Sequence, residues 1–294
     1  MQKGRLFGFV LAILAGFFWG SMSIAAQYLM ESCGFGSVDL TTLRLSGAGG
    51  LLLLYVGLVE RRSLLTPLFN KANAIGIMIY GIGLLVIQLT FFLSIEASNA
   101  ATAALMVLTG PLFVIGWTAF SEHRAVTKTE CLAFLLAAAG VTLIVTKGRF
   151  DTLDISLEGA LWGIASAAAG AFCTIQPKAL MKRVPIDIII GWGMAFGGAL
   201  MWIVVPPDLL ALHWSAANLA LYFYVAAFGT VGAFCCYLKS LQYVPAPVTV
   251  LLNSFEPLTA VVLGVILLGL VLSTAEIIGI CLIFGMVAVL ASKA

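Results

Sequence analysis

Charge is scarce in this sequence. Of its 294 residues, 15 are Lys or Arg, 13 are Asp or Glu, and 62% are hydrophobic. So few polar side chains cannot cover a water-soluble globule of this length, so the expected solvent is a lipid bilayer. The net charge of +2 is small and the basic residues are scattered through short loops, which argues against nucleic acid as a partner.

Residues that build metal centres and hydrolytic sites are also few. The two histidines, His123 and His213, lie in connecting segments, and no cysteine has metal-ligand spacing to either of them. Neither an HExxH nor a GxSxG motif occurs, and no two acidic residues occupy membrane positions suited to sharing a proton. We therefore expect no metal, no cofactor and no enzymatic activity. An intramembrane enzyme and a structural or channel-like component remain the alternatives from other classes.

What the sequence has in abundance is long apolar runs. A helix that crosses a bilayer needs about 20 mostly apolar residues. Ten such runs follow one another: Phe7–Met30, Leu40–Val59, Ala74–Ile95, Ala100–Phe120, Cys131–Thr146, Leu157–Leu180, Ile188–Val205, Leu219–Ser240, Ala246–Leu268 and Ile277–Ala291. The first run is long and lacks the cleavage site of a signal peptide, so we expect the mature protein to keep it. The sequence predicts an all-α integral membrane protein with ten transmembrane helices.

The basic residues predict the orientation, because cytoplasmic loops retain Lys and Arg. With the N-terminus inside, the following residues are cytoplasmic: Lys3, Arg5, Arg61, Arg62, Lys71, Arg124, Lys128, Lys178, Lys182, Arg183, Lys239 and Lys293. Only Lys147 and Arg149 fall outside, and Arg44 falls within a span. An even number of spans then places both termini in the cytoplasm. We expect a multi-pass protein of the cytoplasmic (inner) membrane.

The two halves of the sequence resemble each other. Sliding one along the other by about 146 to 151 positions aligns an ordered series of landmarks: Gly8 with Gly159, Asp39 with Asp187, Pro111 with Pro257, and Glu130 with Glu276. Five spans per half is an odd number, so the second half enters the membrane from the opposite face. We predict two inverted five-helix repeats, residues 1–150 and 151–294, with substrate bound between them near the midplane.

Three short motifs resemble those of a known family. They are Phe18-Trp19-Gly20-Ser21, then Gly110-Pro111-Leu112-Phe113 running to Ser121-Glu122-His123-Arg124, and Glu256-Pro257-Leu258 running to Leu268-Gly269. In this order the sequence resembles the drug/metabolite transporter superfamily, specifically its ten-helix EamA-type members, although Leu270 stands where the family usually carries a glutamate. The resemblance implies secondary transport of a small metabolite by alternating access. It also implies a central cavity lined by the first, third, fourth, sixth, eighth and ninth helices, and it does not name the substrate.

The ninth run carries the best polar stripe. Thr249, Asn253 and Glu256 recur at intervals of four and three, which places them on one helical face. Glu256 precedes Pro257, which leaves a backbone carbonyl free at a predicted kink, and Pro111 predicts a matching kink in the fourth run. Glu256 either binds a cation or a proton, or it bonds a neighbouring helix and holds the bend.

Further candidates for substrate contact are aromatic or amide side chains inside spans: Trp19, Tyr80, Gln88, Phe91, Thr109, Trp162, Gln176 and Tyr237. Trp19 and Trp162 are predicted to face each other and to hold a ring or an alkylammonium by cation–π contact. Trp162 equally suits an anchor at the membrane interface. Gln88 is difficult to leave facing lipid, because its amide needs hydrogen-bond partners. For Thr109 and Tyr237 helix packing is the stronger interpretation.

Arg44 is a basic residue within the second span. We expect its side chain either to extend to the outer interface or to pair with Asp39, with a role in substrate binding as the further alternative. No basic residue is then clearly buried mid-membrane to receive an anion. The expected cargo is an organic cation, a quaternary amine, or a zwitterion such as an amino acid, with a neutral metabolite or nucleobase held by Gln88 and Asn253 as the alternative. The expected partners are this small molecule and the lipid bilayer, and a homodimer stays open.

Overall fold

The computed structural model describes residues 2–148, 157–210, 212–244, 252 and 254–291. In these ranges the regular structure is helical, with no strand. The α-helices in chain order are α1 Gln2–Cys33, α2 Ser37–Leu54, α3 Lys71–Ala97, α4 Ala100–Val107, α5 Gly110–Ser121, α6 Lys128–Thr146, α7 Leu157–Ile175, α8 Ile186–Val204, α9 Ala216–Phe223, α10 Ala233–Ser240, α11 Phe255–Leu268 and α12 Thr274–Ala291. Two π-helical segments extend this set: Tyr55–Val59 continues α2, and Tyr224–Gly232 joins α9 to α10.

Eight helical segments of the described chain are long and apolar enough to cross a membrane, and two shorter apolar helices, Phe255–Leu268 and Thr274–Leu290, accompany them. The protein is therefore an all-helical, multi-pass membrane protein. The first part of the predicted ninth span, residues 246–251 and 253, lies outside the described residues.

Proline sets two helix boundaries that differ from the predicted spans. The sixth span was predicted as Leu157–Leu180 and the structure has a candidate span at Leu157–Lys178, but its α-helical part, α7, ends at Ile175 and a 3-10 turn at Gln176–Lys178 follows. Pro177 has no amide hydrogen with which to continue the helical ladder. The fourth span is divided in two, since α4 ends at Val107 and α5 starts at Gly110 with Pro111 in its first turn.

Helices of the first half of the chain pack against helices of the second half. Helix α1 packs on α10 and α11, and α7, its counterpart by sequence alignment, packs on α3 and α4. Helix α2 packs on α8, and α6 packs on α12, so that aligned helices meet each other.

Two adjacent glycines in α2 have opposite surroundings. A Cβ placed on Gly49 would lie 2.6 Å from the backbone nitrogen of Ala195 in α8, whereas a Cβ on Gly50 would meet nothing within 4 Å. We expect Gly49→Ala to lower the free energy of unfolding by about 1 to 3 kcal/mol, the usual cost of overpacking. Gly50→Ala is expected to be neutral or slightly stabilising, because alanine favours helix by up to about 1 kcal/mol. Thermal unfolding of the two purified variants tests this, and equal shifts would show that α2 and α8 do not meet at Gly49.

Candidate transport site

Arg44 lies inside the helix bundle, with 3% of its surface exposed. Its Nε donates a hydrogen bond to Thr230 Oγ1 at 2.8 Å, and its Nη1 donates one to Gln88 Oε1. The guanidinium carbon also lies 5.4 Å from the ring centroid of Phe92. Helix α3, through Gln88 and Phe92, and the π segment Tyr224–Gly232, through Thr230, thus hold the guanidinium that α2 carries.

This arrangement corrects the expectations for Arg44. The predictions that it extends to the outer interface or pairs with Asp39 are wrong. Asp39 Oδ2 instead accepts from the backbone nitrogen of Gly36, at 3.0 Å, at the start of α2. Gln88 and Thr230 supply buried oxygen acceptors for Arg44, which compensate the loss of water around its charge. The statement that no basic residue is buried mid-membrane is wrong for the same reason.

Glu256 is the acidic counterpart of Arg44. It lies in the first turn of α11, where the positive end of the helix dipole favours a carboxylate. The two residues lie within electrostatic range of each other, yet no ion pair joins them in the part of the chain that the structure describes. Part of the surface of Glu256 is accessible. Asn253 and Thr249 lie outside the described residues.

Helix α1 brings Trp19 to the same region. A Cβ on Gly16 would lie 3.0 Å from the backbone nitrogen of Glu256, so α1 and α11 meet almost backbone to backbone. The ring of Trp19 lies 5.3 Å from that of Phe234 and 5.7 Å from that of Tyr237, between centroids. The structure thus places two predicted contact residues, Trp19 and Tyr237, together on helices that neighbour Arg44 and Glu256.

Two cavities flank this aromatic cluster. One, of about 590 Å³, is lined by Phe234 and extends to Arg62 and Lys239. The other, of about 860 Å³, is lined by Tyr237 and extends to Arg124. Both reach the end of the bundle where the basic loop residues lie, and Trp19 touches the wall of each through Phe234 and Tyr237.

An ionic cluster stands at the mouth of the smaller cavity. Arg62 Nη1 lies 2.9 Å from Asp187 Oδ2, and its Nε lies 3.2 Å from Glu60 Oε2. Burial raises the pKa of Glu60, and the neighbouring Asp187 carboxylate raises that pKa further. The cluster ties the end of α2 to the start of α8, one element from each half of the chain.

The opposite end of the bundle is filled by apolar side chains. A buried cluster there draws on the end of α1, the start of α2, the end of α3 and the loop before α9, and includes Leu29, Phe35, Leu40, Phe92 and Leu212. Trp214 packs edge-on against Phe35 at 5.3 Å. In the described residues the two cavities thus lie at one end of the bundle and this apolar cluster at the other.

The remaining candidates make other contacts. Tyr80 and Phe91 belong to buried apolar clusters, and Thr109 Oγ1 donates to its own helix at Met106, at 2.7 Å. Gln176 Nε2 donates to the Gly76 carbonyl at 3.1 Å, and Trp162 Nε1 donates to Glu158 Oε1 at 3.3 Å near the start of α7. None of these contacts is with Arg44 or Glu256, so substrate roles for these five residues stay predictions.

The charged site contains two residues that were not among the predicted substrate contacts: Arg44, for which substrate binding was only the further alternative, and Thr230, which was not considered. The only sequence signal for either is a polar side chain within an apolar run, and that signal is shared with many threonines of this chain. Their roles become visible when α2, α3 and the π segment are brought together.

Comparison with known proteins agrees with this architecture. A family model described as the EamA-like transporter family matches residues 6–146 and again residues 157–292. The chain is 33% identical, over 97% of its length and 94% of the relative's, to the uncharacterized inner membrane transporter YicL of Salmonella typhimurium. It is 28% identical, over 73% of its length and 70% of the relative's, to the threonine/homoserine exporter RhtA of the same species.

A solved crystal structure shares the fold. It superposes with a TM-score of 0.64 over 100% of this chain and 99% of that one, at 21% sequence identity. Such identity supports the fold alone. The family is shown by the two family matches over nearly the whole sequence and by the relative at 33% identity: the chain belongs to the EamA-like transporter family and is a membrane transporter, not an enzyme.

Proposed function

We propose that this protein is a secondary transporter that carries a small zwitterionic metabolite, of the amino-acid class, across the cytoplasmic (inner) membrane. The observation that carries the proposal is the presence of Arg44 and Glu256, opposite charges inside one bundle with no ion pair between them. Buried charges are costly unless they are matched. A zwitterion between them satisfies both: its carboxylate binds Arg44, and its ammonium binds Glu256.

The other cargo classes fit this site less well. An organic cation or quaternary amine would satisfy Glu256 but would bring a second positive charge towards Arg44, which repels it. A neutral metabolite or nucleobase held by Gln88 would compete with Arg44 for the Gln88 carbonyl oxygen. The name of one relative, a threonine/homoserine exporter, also favours an amino acid. Trp19 and Tyr237 then provide the aromatic wall beside the cargo.

The transport cycle in this proposal is alternating access between two inverted five-helix repeats, residues 1–150 and 151–294. The paired contacts of the two halves and the two successive family matches support it. Ten spans with both termini in the cytoplasm follow from the basic loops. In that orientation the end of the bundle with the two cavities faces the cytoplasm, which is the side from which an exporter takes up its cargo.

Counterflow into proteoliposomes tests this function. Vesicles loaded with unlabelled threonine are expected to accumulate labelled threonine, homoserine or another neutral amino acid above the level in protein-free vesicles. Glu256→Gln vesicles are the matched control and are expected to lose this accumulation. No accumulation of an amino acid, together with accumulation of labelled choline or a labelled nucleobase by vesicles loaded with the same unlabelled compound, would show that the proposed cargo class is wrong.

A further inference from the structure

The π segment Tyr224–Gly232 lies directly at the candidate site. Such segments insert an extra residue into a helical turn, and they are found mostly at functional sites. An extra residue turns every following side chain by about 100° around the helix axis. Thr230, which is 1% exposed, lies within this segment and faces α2. Its direction therefore depends on the π geometry.

The hydroxyl of Thr230 is bonded unlike those of many other threonines in the described chain. It donates to the Val225 carbonyl, five residues back, at 2.9 Å. Seven other threonines donate to the carbonyl four residues back: Thr41, Thr42, Thr90, Thr118, Thr142, Thr146 and Thr174. A hydroxyl has one hydrogen. The hydroxyl hydrogen of Thr230 bonds to the Val225 carbonyl, so Thr230 can face Arg44 only with an oxygen lone pair.

Three contacts then fix the plane and rotation of the guanidinium. Thr230 accepts from Nε, Gln88 accepts from Nη1, and Phe92 covers one face. In the described residues no side chain or carbonyl accepts from Nη2. The end of the guanidinium formed by Nη2 and the second hydrogen of Nη1 is the edge that binds carboxylates in bidentate fashion.

We propose that Thr230 is a positioning residue, which the π segment orients so that Arg44 presents its Nη edge to the carboxylate of the cargo. The inference rests on the proposed function, because it assigns a role in recognising the carboxylate of the zwitterion. Thr230 itself does not touch the cargo. It accepts the hydrogen bond from Arg44 Nε, so that Nε bonds no other group, and it prevents rotation of the Arg44 guanidinium.

The test compares two ligands on three variants. Threonine carries the carboxylate, and threoninamide carries an uncharged amide in its place. Thr230→Val keeps the shape of the side chain and removes the acceptor, Thr230→Ser keeps the hydroxyl, and Thr142→Val is the matched control at an exposed threonine of α6. Isothermal titration with purified protein in nanodiscs gives both dissociation constants, and thermal unfolding verifies that each variant is folded.

Thr230→Val is expected to weaken threonine binding about 10- to 100-fold, the range for a lost hydrogen bond to a charged group. The affinity for threoninamide is expected to change less than about twofold, because threoninamide has no carboxylate for Arg44 to bind. Thr230→Ser and Thr142→Val should resemble wild type. Equal weakening of both ligands, or no weakening of threonine, would overturn the inference alone. A wild type that does not prefer threonine to threoninamide would overturn the proposed function, and this inference with it.

Discussion

Arg44→Lys is expected to lower the affinity for a zwitterionic amino acid about 100-fold, within the range for breaking a buried, hydrogen-bonded charge pair. Lysine keeps the positive charge, but its compact ammonium cannot bond Gln88 and Thr230 and still present a planar, two-point edge to a carboxylate. An analogue of the amino acid that keeps the ammonium but lacks the carboxylate should bind Arg44→Lys and the wild type with the same affinity. Titration calorimetry with both compounds measures this difference.

Arg62→Lys is the matched control for that substitution. Arg62 is half exposed at the mouth of the smaller cavity, where its ion pairs with Asp187 and Glu60 are of the kind worth about 0 to 1 kcal/mol. Amino-acid binding by this variant should therefore stay near the wild-type value. If Arg44→Lys binds threonine as well as Arg62→Lys does, Arg44 is not the carboxylate receptor.

Glu256→Gln is expected to have a comparable effect on the other end of the cargo. Glutamine has the same shape but no charge, so threonine affinity should fall about 100-fold through loss of a desolvated charge pair. The analogue in which a hydroxyl replaces the ammonium should bind the variant and the wild type equally. The measurement is again the pair of dissociation constants, taken on the same preparations.

Glu276→Gln separates loss of binding from loss of folding. Glu276 is 5% exposed and its Oε2 accepts from the backbone nitrogen of Ser273 at 2.7 Å, so it stabilises the start of α12 through a bond that involves neither Arg44 nor Glu256. We expect this variant to melt at lower temperature with unchanged affinity. The opposite pattern, in which Glu256→Gln lowers stability while both dissociation constants stay at wild-type values, would mean that Glu256 only holds the helix bend.

The membrane-protein class was predictable because it depends on local properties of the sequence. Apolar runs identify the helices without any knowledge of their neighbours, and each predicted run overlaps a helix of the described chain. The family was predictable from short motifs such as Phe18 to Ser21, and the family matches confirm it. The early end of α7 was also readable in principle, because Pro177 stops the ladder wherever it falls.

The role of Arg44 was not predictable, because its partners are distant in sequence. Gln88 is 44 positions away and Thr230 is 186 positions away. From the sequence alone, an arginine near the end of a span reaches water as readily as it reaches buried acceptors. The π segment was hidden for a similar reason, since no composition or periodicity marks the extra residue that turns Thr230 towards α2.

The central claim is that the site binds both charges of a zwitterion. The most direct test is the melting temperature of the wild-type protein with three related compounds: threonine, threoninamide, and the hydroxy acid in which a hydroxyl replaces the ammonium of threonine. A ligand that binds only the folded state at about 100 times its dissociation constant stabilises it by about 2.7 kcal/mol. We predict a clear rise with threonine and much smaller rises with the other two at equal concentration. A rise with threoninamide as large as that with threonine would contradict the account, because a site that ignores the carboxylate has no use for Arg44.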